Sequence, residues 1–232
     1  MIAAALREDI ETYARRCRDE NPIFCRAADG TLLKATVTRY IANVHYLIQH
    51  TPQYLARARD NARAQGDHKL AAHYAHKLAE EMGHDVWAER DLASLTRIAG
   101  ATSDVRVTGA MRRLVEMVGR IIDEDPVLYL AYIAFAEYLI VILGPEWLDL
   151  LERHCGIPMT SMTVIGNHIE LDRDHAEEAF DQIDDLVGDP RKLRPMRQVL
   201  TDTLAIFDEY CMELAEGENR TMDERPLHVS AA

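Results

Sequence analysis

Residues 126–143, PVLYLAYIAFAEYLIVIL, contain a single charged side chain, Glu137, among mostly apolar neighbours. A segment of this length and composition is typical of a membrane span or of the buried central helix of a bundle. It is at the short limit for a span, it is the only such segment in the chain, and a charge at mid-membrane is costly. The stretch therefore predicts a core helix, with the Glu137 carboxyl inside the core.

The rest of the chain also has the pattern of helices. Strand alternation is absent, and turn signals such as Gly66-Asp67 and GDPRKLRP at 188–195 separate the helical runs. The predicted helices span about 2–19, 32–63, 68–97, 104–121, 126–143, 146–154, 159–187 and 191–217, as read from periodicity and breakers. We expect one all-α bundle of seven or eight helices over residues 1–217 and a flexible C-terminal tail over 218–232.

Composition excludes several classes of function. Lys and Arg number 26 against 39 Asp and Glu, a net charge of −13, so a nucleic-acid partner is not expected. The four cysteines are scattered and form no CxxC pair, which favours a reducing compartment over a disulfide frame or a zinc site. The N-terminus lacks the pattern of a signal peptide. We expect a cytoplasmic protein with no membrane partner.

A second stretch, GNHIELDRDHAEE at 166–178, contains two histidines and five acids. At about 100° per residue, Asp172 lies about 40° and His175 about 20° from His168 around a helix axis. These three side chains share the inward face, and the remaining acids form a solvated one. A buried carboxylate between two histidines is explained by a metal or by a hydrogen-bonded Asp–His pair.

Two more groups could join this trio. Glu137 in its apolar helix must be protonated, paired or bound to a metal. In HYAHKLAEEMGHDVW, residues 73–87, Glu81 precedes His84 by three positions, the spacing of a half-site in carboxylate-bridged di-iron bundles. Glu80 is an alternative to Glu81. Lys77 either pairs with an acid or anchors an acidic substrate.

Together these segments supply three histidines and three carboxylates from three predicted helices. Oxygen and imidazole ligands without thiolate suit iron or manganese, and zinc is not excluded. Six ligands shared by two metals leave coordination positions open, which is typical of a reactive centre and not of a structural one.

The order of these residues resembles the haem-oxygenase-like di-iron oxidases and oxygenases. That pattern is a Glu with a nearby His, a lone mid-chain Glu, then HxxxDxxH; KLAEEMGHDVWAERDL at 77–92 and YLIQHTPQYLARA at 46–58 are also similar to the family. The resemblance covers roughly residues 20–215. Its known members include an alkene-forming fatty-acid decarboxylase, amino-acid desaturases and N-oxygenases, and a chlamydial-type 4-aminobenzoate synthase. Some members have Glu where this chain has Lys77.

The resemblance implies two Fe(II) ions, with manganese as an alternative, and O2 as co-substrate. It implies metal ligation by Glu81, His84, Glu137, His168, Asp172 and His175, with Glu137 and Lys77 as catalytic residues. The implied substrate is a small amino acid or other small carboxylate or amine, undergoing desaturation, N-oxygenation or C–C cleavage in specialised metabolism. An external electron donor and a homodimer fit the same expectation.

Two alternatives stay open. One is a fatty-acid oxidative decarboxylase of the same fold. The other is a non-catalytic helical protein, which either binds metal without turnover or merely pairs its buried polar groups.

Overall fold

The computed structural model describes the backbone of residues 1–100 and 106–223, and all side chains in these ranges except those of residues 172, 174–179 and 218–223. Its described parts form helices and contain no strand, as the sequence predicts. The ten α-helices are α1 (Ile2–Glu20), α2 (Pro22–Ala28), α3 (Lys34–Ile48), α4 (Thr51–Ala64), α5 (His68–Glu81), α6 (Asp85–Ala99), α7 (Gly109–Glu124), α8 (Tyr129–Cys155), α9 (Thr163–Val187) and α10 (Leu193–Asp223).

The prediction of seven or eight helices is too low because two long predicted helices are each broken. The run 32–63 divides into α3 and α4 just before the Thr51-Pro52 step, where proline suits the first turn of a new helix. The run 68–97 divides into α5 and α6 at Gly83, whose φ of +87° is favoured only for glycine. A short helix, α2, also forms where a break was expected, because Asn21 caps it.

Helix α8 is the core of the bundle, as expected for the apolar stretch. By length and composition residues 126–155 could cross a membrane, but 67% of the most apolar window is buried inside the bundle, as in the core helix of a folded domain. The predicted end at Gly144-Pro145 is wrong, because α8 continues to Cys155. Packing holds the helix together there: Arg18 donates to the Ile142 carbonyl at 3.4 Å, and Trp147 beyond the proline is buried.

Helix α9 packs antiparallel against α8. Gly144 of α8 faces Ile169 of α9, and further along the pair Tyr138 contacts Phe180 edge to face, with ring centroids 4.9 Å apart. This packing places the first two turns of α9 beside the middle of α8.

The last helix, α10, extends past the predicted boundary at residue 217, since its backbone is helical to Asp223. Residues 224–232 lie outside the described part of the chain. The division into a domain over 1–217 and a flexible tail therefore stays a prediction.

Candidate metal centre and its cavity

Three of the predicted ligands meet at the junction of α5, α6 and α9. Ligand atoms of Glu81, His84 and His168 all lie within 4.8 Å of one another. Glu81 is the last residue of α5, and His84 directly precedes the first residue of α6. The distance from Glu81 Oε2 to His84 Nδ1 is 3.1 Å. The sequence placed Glu81 and His84 on one helix, whereas the structure brings them together across the Gly83 break.

The Glu80 and Glu81 side chains turn to different partners. Glu80 lies 3.4 Å from Lys77 Nζ and 3.1 Å from His76 Nε2. Glu81 instead faces both His84 and His168. Burial acts to raise the pKa of the Glu81 carboxyl, but the hydrogen bond from His84 and the nearby positive groups lower it overall, so Glu81 is ionised. Glu81 is therefore the carboxylate beside the imidazoles.

The His168 ring is held in the tautomer that a metal requires. Its Nδ1 donates to the Val164 carbonyl at 2.6 Å, so Nε2 keeps its lone pair for a ligand. Burial lowers the pKa of His168, and the neutral form is the one that coordinates.

Trp87 orients both imidazoles. Its indole stacks on His84, with centroids 4.2 Å apart and an interplanar angle of 21°, and meets His168 edge to face at 5.6 Å. The two imidazoles contact each other at 5.1 Å. Trp87 follows His84 by three residues, so its spacing could have identified it as a neighbour, but spacing does not distinguish a supporting ring from a core residue.

Asp91, a buried carboxylate of α6, fixes α6 to α9. Its two oxygens accept from Thr163 Oγ1 and from the Val164 backbone N–H, both at 2.7 Å. Helix α9 has no side-chain cap of its own, so Asp91 satisfies its first turn from outside. The His84 helix and the His168 helix are thus locked in register. No local sequence pattern indicates this contact between distant segments.

Glu137 lies in the core beside Lys77. The side chain of Glu137 is buried, and Lys77 Nζ lies 2.9 Å from its Oε1. Oε2 is buried and has no hydrogen-bond partner among the described residues. Burial raises the pKa of Glu137 to about 7, against the opposing effect of Lys77. Burial acts to lower the pKa of Lys77, but Glu137 and Glu80 outweigh it and raise the value.

The donor chemistry of these residues fits Fe(II) or Mn(II). Carboxylate oxygen and imidazole nitrogen converge at Glu81, His84 and His168, and Oε2 of Glu137 is a further oxygen that has no hydrogen-bond partner among the described side chains. The side chains of Asp172 and His175 lie outside the described residues, although the α9 backbone covers both positions. Their ligation, and with it the second metal, stays a prediction.

An apolar cavity of about 210 Å³ adjoins this cluster and includes His168 in its wall. It follows one face of α8, from Tyr132 through Ala136, Ile140 and Leu143 to Trp147. No Asp, Glu, Lys or Arg is among the described residues that line it. Lys77, expected to anchor an acidic substrate, is not part of this wall and is already paired with Glu137.

A second group of potential metal ligands, which the sequence did not suggest, lies nearby. Ligand atoms of His45, Asp85 and Glu89 are also within 4.8 Å of one another. Glu89 is exposed, and the 3.7 Å contact between its Oε1 and His45 Nε2 accounts for the grouping without a metal.

Solved structures share this architecture over nearly the whole chain. A domain of unknown function with a haem-oxygenase-like fold from Shewanella denitrificans OS217 is 19% identical with a TM-score of 0.82, covering 99% of this chain and 98% of that one. A TenA homolog from Pseudomonas syringae pv. tomato DC3000 is 18% identical with a TM-score of 0.67, covering 92% and 93%. A CADD-like protein of unknown function from Nostoc punctiforme PCC 73102 is 15% identical with a TM-score of 0.65, covering 92% and 98%.

These matches establish the haem-oxygenase-like fold and, at such identities, the fold alone. No family model matches the sequence, and no curated protein matches it. Function therefore has to be argued from the site itself.

Proposed function

We propose that this protein is a non-haem di-iron oxidase or oxygenase that uses O2 on a small organic substrate. The observation that carries the proposal is the convergence of Glu81, His84 and His168 beside an apolar cavity whose wall includes His168. When bound, a redox-active metal pair supplies the activation of dioxygen toward C–H or N–H bonds.

The protein's own residues prepare the site for that chemistry. The Val164 carbonyl selects the His168 tautomer, and Trp87 holds both rings. Lys77 holds Glu137 through Oε1 and leaves Oε2 as the ligand atom. The apolar wall keeps water away from the reacting centre.

The electron balance implies a partner. Desaturation or oxygenation takes two electrons from the substrate, whereas reduction of O2 to the level of water takes four. The other two come from an external electron donor, which is part of the proposal.

Within the expected range of substrates, the cavity favours apolar molecules over charged ones. Its described wall has no charged side chain, and a charged amino acid would leave an ammonium and a carboxylate without partners there. A substrate with an apolar body fits better; the alternative of a fatty-acid oxidative decarboxylase shares such a body, but its carboxylate would meet no cation in the described wall.

The test is anaerobic titration of the metal-free protein with Fe(II), followed by exposure to O2 with a reductant and a panel of apolar acids, ketones, amines and amino acids. We expect tight iron binding, and O2 consumption that one substrate class accelerates with formation of an oxidised organic product. His168→Ala should lose iron binding because it removes an imidazole ligand.

Glu170→Gln, on the exposed side of α9, is the matched control and should bind iron as the wild type does. Unchanged iron binding in both His168→Ala and Glu137→Ala would refute the metal site. Iron oxidation without any organic product would instead favour the non-catalytic metal-binding protein.

A further inference from the structure

One end of the cavity carries two buried N–H donors for which the described residues provide no strong acceptor. Asn21 Nδ2 and Trp147 Nε1 are both buried atoms without a hydrogen-bond partner among the described residues. The residues are 5% and 7% exposed, and both line the cavity. Buried donors are nearly always paired in folded proteins, so two unpaired donors in one wall call for an explanation.

The orientation of the Asn21 amide follows from its backbone contacts. Its Oδ1 accepts from the N–H groups of Ile23 and Phe24, at 3.1 and 3.2 Å, and so caps α2. A flipped amide would set its NH2 group against two other donors. Nδ2 is therefore the atom left over. Asn21 also lies close enough to Cys211 for a side-chain hydrogen bond, which lowers the pKa of that thiol against the larger effect of burial. A thiol sulfur is a weak acceptor, and Nδ2 carries two hydrogens, so this contact leaves the amide group without a strong acceptor.

The Trp147 indole is fixed on both sides. Phe24 stacks on it with centroids 5.8 Å apart and an interplanar angle of 29°, and Tyr40 lies against it at 5.8 Å. Both donors thus border Phe24, at the same end of the cavity. Trp147 stands ten residues beyond Glu137 on α8, about 15 Å along the helix axis.

Water does not explain the pair well. Apart from these donors, cysteines, tyrosines and His168, the described wall is apolar, so few groups are placed to give a bound water the several hydrogen bonds that it needs. A carboxylate would be buried there with no cation in the wall, and an amine would set donors against donors.

We propose that the cavity binds an apolar molecule bearing a neutral carbonyl group, whose oxygen accepts from Asn21 Nδ2 and Trp147 Nε1. The apolar body then extends along α8 and lies against His168. This inference rests on the proposed function, because the molecule that it describes is the substrate class of that same site. Its binding step needs no metal.

The experiment uses the metal-free full-length protein and three eight-carbon probes: hexyl methyl ketone, n-octane and octanoate. Affinities are measured by displacement of a fluorescent apolar dye. We expect the ketone to bind at least tenfold more tightly than octane and more tightly than octanoate, because only the ketone satisfies both donors without burying a charge.

Two variants remove one donor each and keep the local structure. Trp147→Phe deletes the indole N–H and retains a ring, and Asn21→Ser retains an oxygen that can cap α2. Each should reduce the ketone-to-octane ratio about threefold or more while octane affinity persists, which shows that the cavity remains formed. Glu170→Gln, on the exposed side of α9 and outside the cavity wall, should leave the ratio unchanged.

Equal affinity of the ketone and octane for the wild type would overturn the inference, as would no binding of either probe or a ratio that survives both variants. A protein that binds the ketone but no iron would refute the proposed function alone. A protein that binds iron but shows no ketone preference would refute this inference alone.

Discussion

At the scale of single residues, the proton on Glu137 links the site to stability. Burial raises its pKa to about 7, so between its ordinary value and about 7 the folded chain binds a proton that the unfolded chain releases. The stability contributed by this group is complete below the ordinary pKa and is lost as the pH rises through about 7. In metal-free protein at neutral pH, ionisation of the buried Glu137 carboxyl therefore lowers the free energy of unfolding. A metal ion bound by this carboxylate would offset that loss.

Glu137→Gln should remove this pH dependence. Between about pH 5 and about pH 8, the unfolding free energy of the wild type should fall by about 3 kcal/mol relative to that of the variant. This corresponds to about 1.4 kcal/mol for each pH unit that separates the ordinary pKa of Glu137 from its pKa in the folded chain. Urea denaturation of metal-free protein measures it. Exposed Glu170→Gln should follow the wild-type curve, and parallel curves for Glu137→Gln and the wild type would contradict the assignment.

Trp87→Leu should weaken metal binding without removing a ligand. The indole holds His84 and His168 in place, and the loss of such outer contacts typically costs about 10- to 100-fold in affinity. Mn(II) titration followed by electron paramagnetic resonance measures the change. Trp147→Phe, which alters the other indole, should keep wild-type Mn(II) affinity. If Trp87→Leu also binds Mn(II) as tightly as the wild type, the imidazoles of His84 and His168 do not need the indole for support.

At the scale of helices, the close contact of α8 and α9 depends on a glycine. A Cβ at Gly144 would lie 2.7 Å from Ile169 Cδ1 and 2.8 Å from its Cγ1. Gly144 therefore serves packing in the middle of a helix, a position where glycine is otherwise unfavourable.

Two glycine substitutions test this contact as a pair. Gly144→Ala should destabilise the fold by about 1 to 3 kcal/mol through overpacking. Gly166→Ala in α9, where nothing lies within 4 Å of the added Cβ, should stabilise it by up to about 1 kcal/mol. Thermal and urea unfolding of both variants measure the difference, and a change of the same sign in both would contradict the packing argument.

At the scale of the whole molecule, the ligand cluster joins elements that are distant in sequence. Glu81, His84 and His168 come from α5, α6 and α9. A metal that binds only the folded chain should stabilise it by about 2.7 kcal/mol at a hundredfold excess over its Kd. Unfolding with Mn(II) measures this. Mg²⁺, which prefers oxygen ligands, should stabilise it much less, and His168→Ala should abolish the Mn(II) effect.

Much of this architecture is predictable from local patterns. The helical class and the burial of α8 follow from periodicity and composition, and the meeting of His84 with Glu81 follows from close spacing. The break at Gly83, the continuity through Pro145 and the Asp91 contact depend on packing between distant segments, which no local pattern encodes. The cavity could not be predicted for the same reason, because its wall draws on α1, α2, α3, α7, α8, α9 and α10.

Because α8 is continuous, substitutions along it can change the shape of the cavity without moving the residues at its two ends. Glu137 and Trp147 lie on one uninterrupted helix, so the distance between them along the helix axis is fixed. Between them, Ala136, Ile140 and Leu143 form the cavity wall, and changes in their size would shorten or lengthen the usable space without touching a ligand atom. Substitutions at these positions can thus change the length of molecule that the cavity accommodates while Glu81, His84 and His168 stay unchanged.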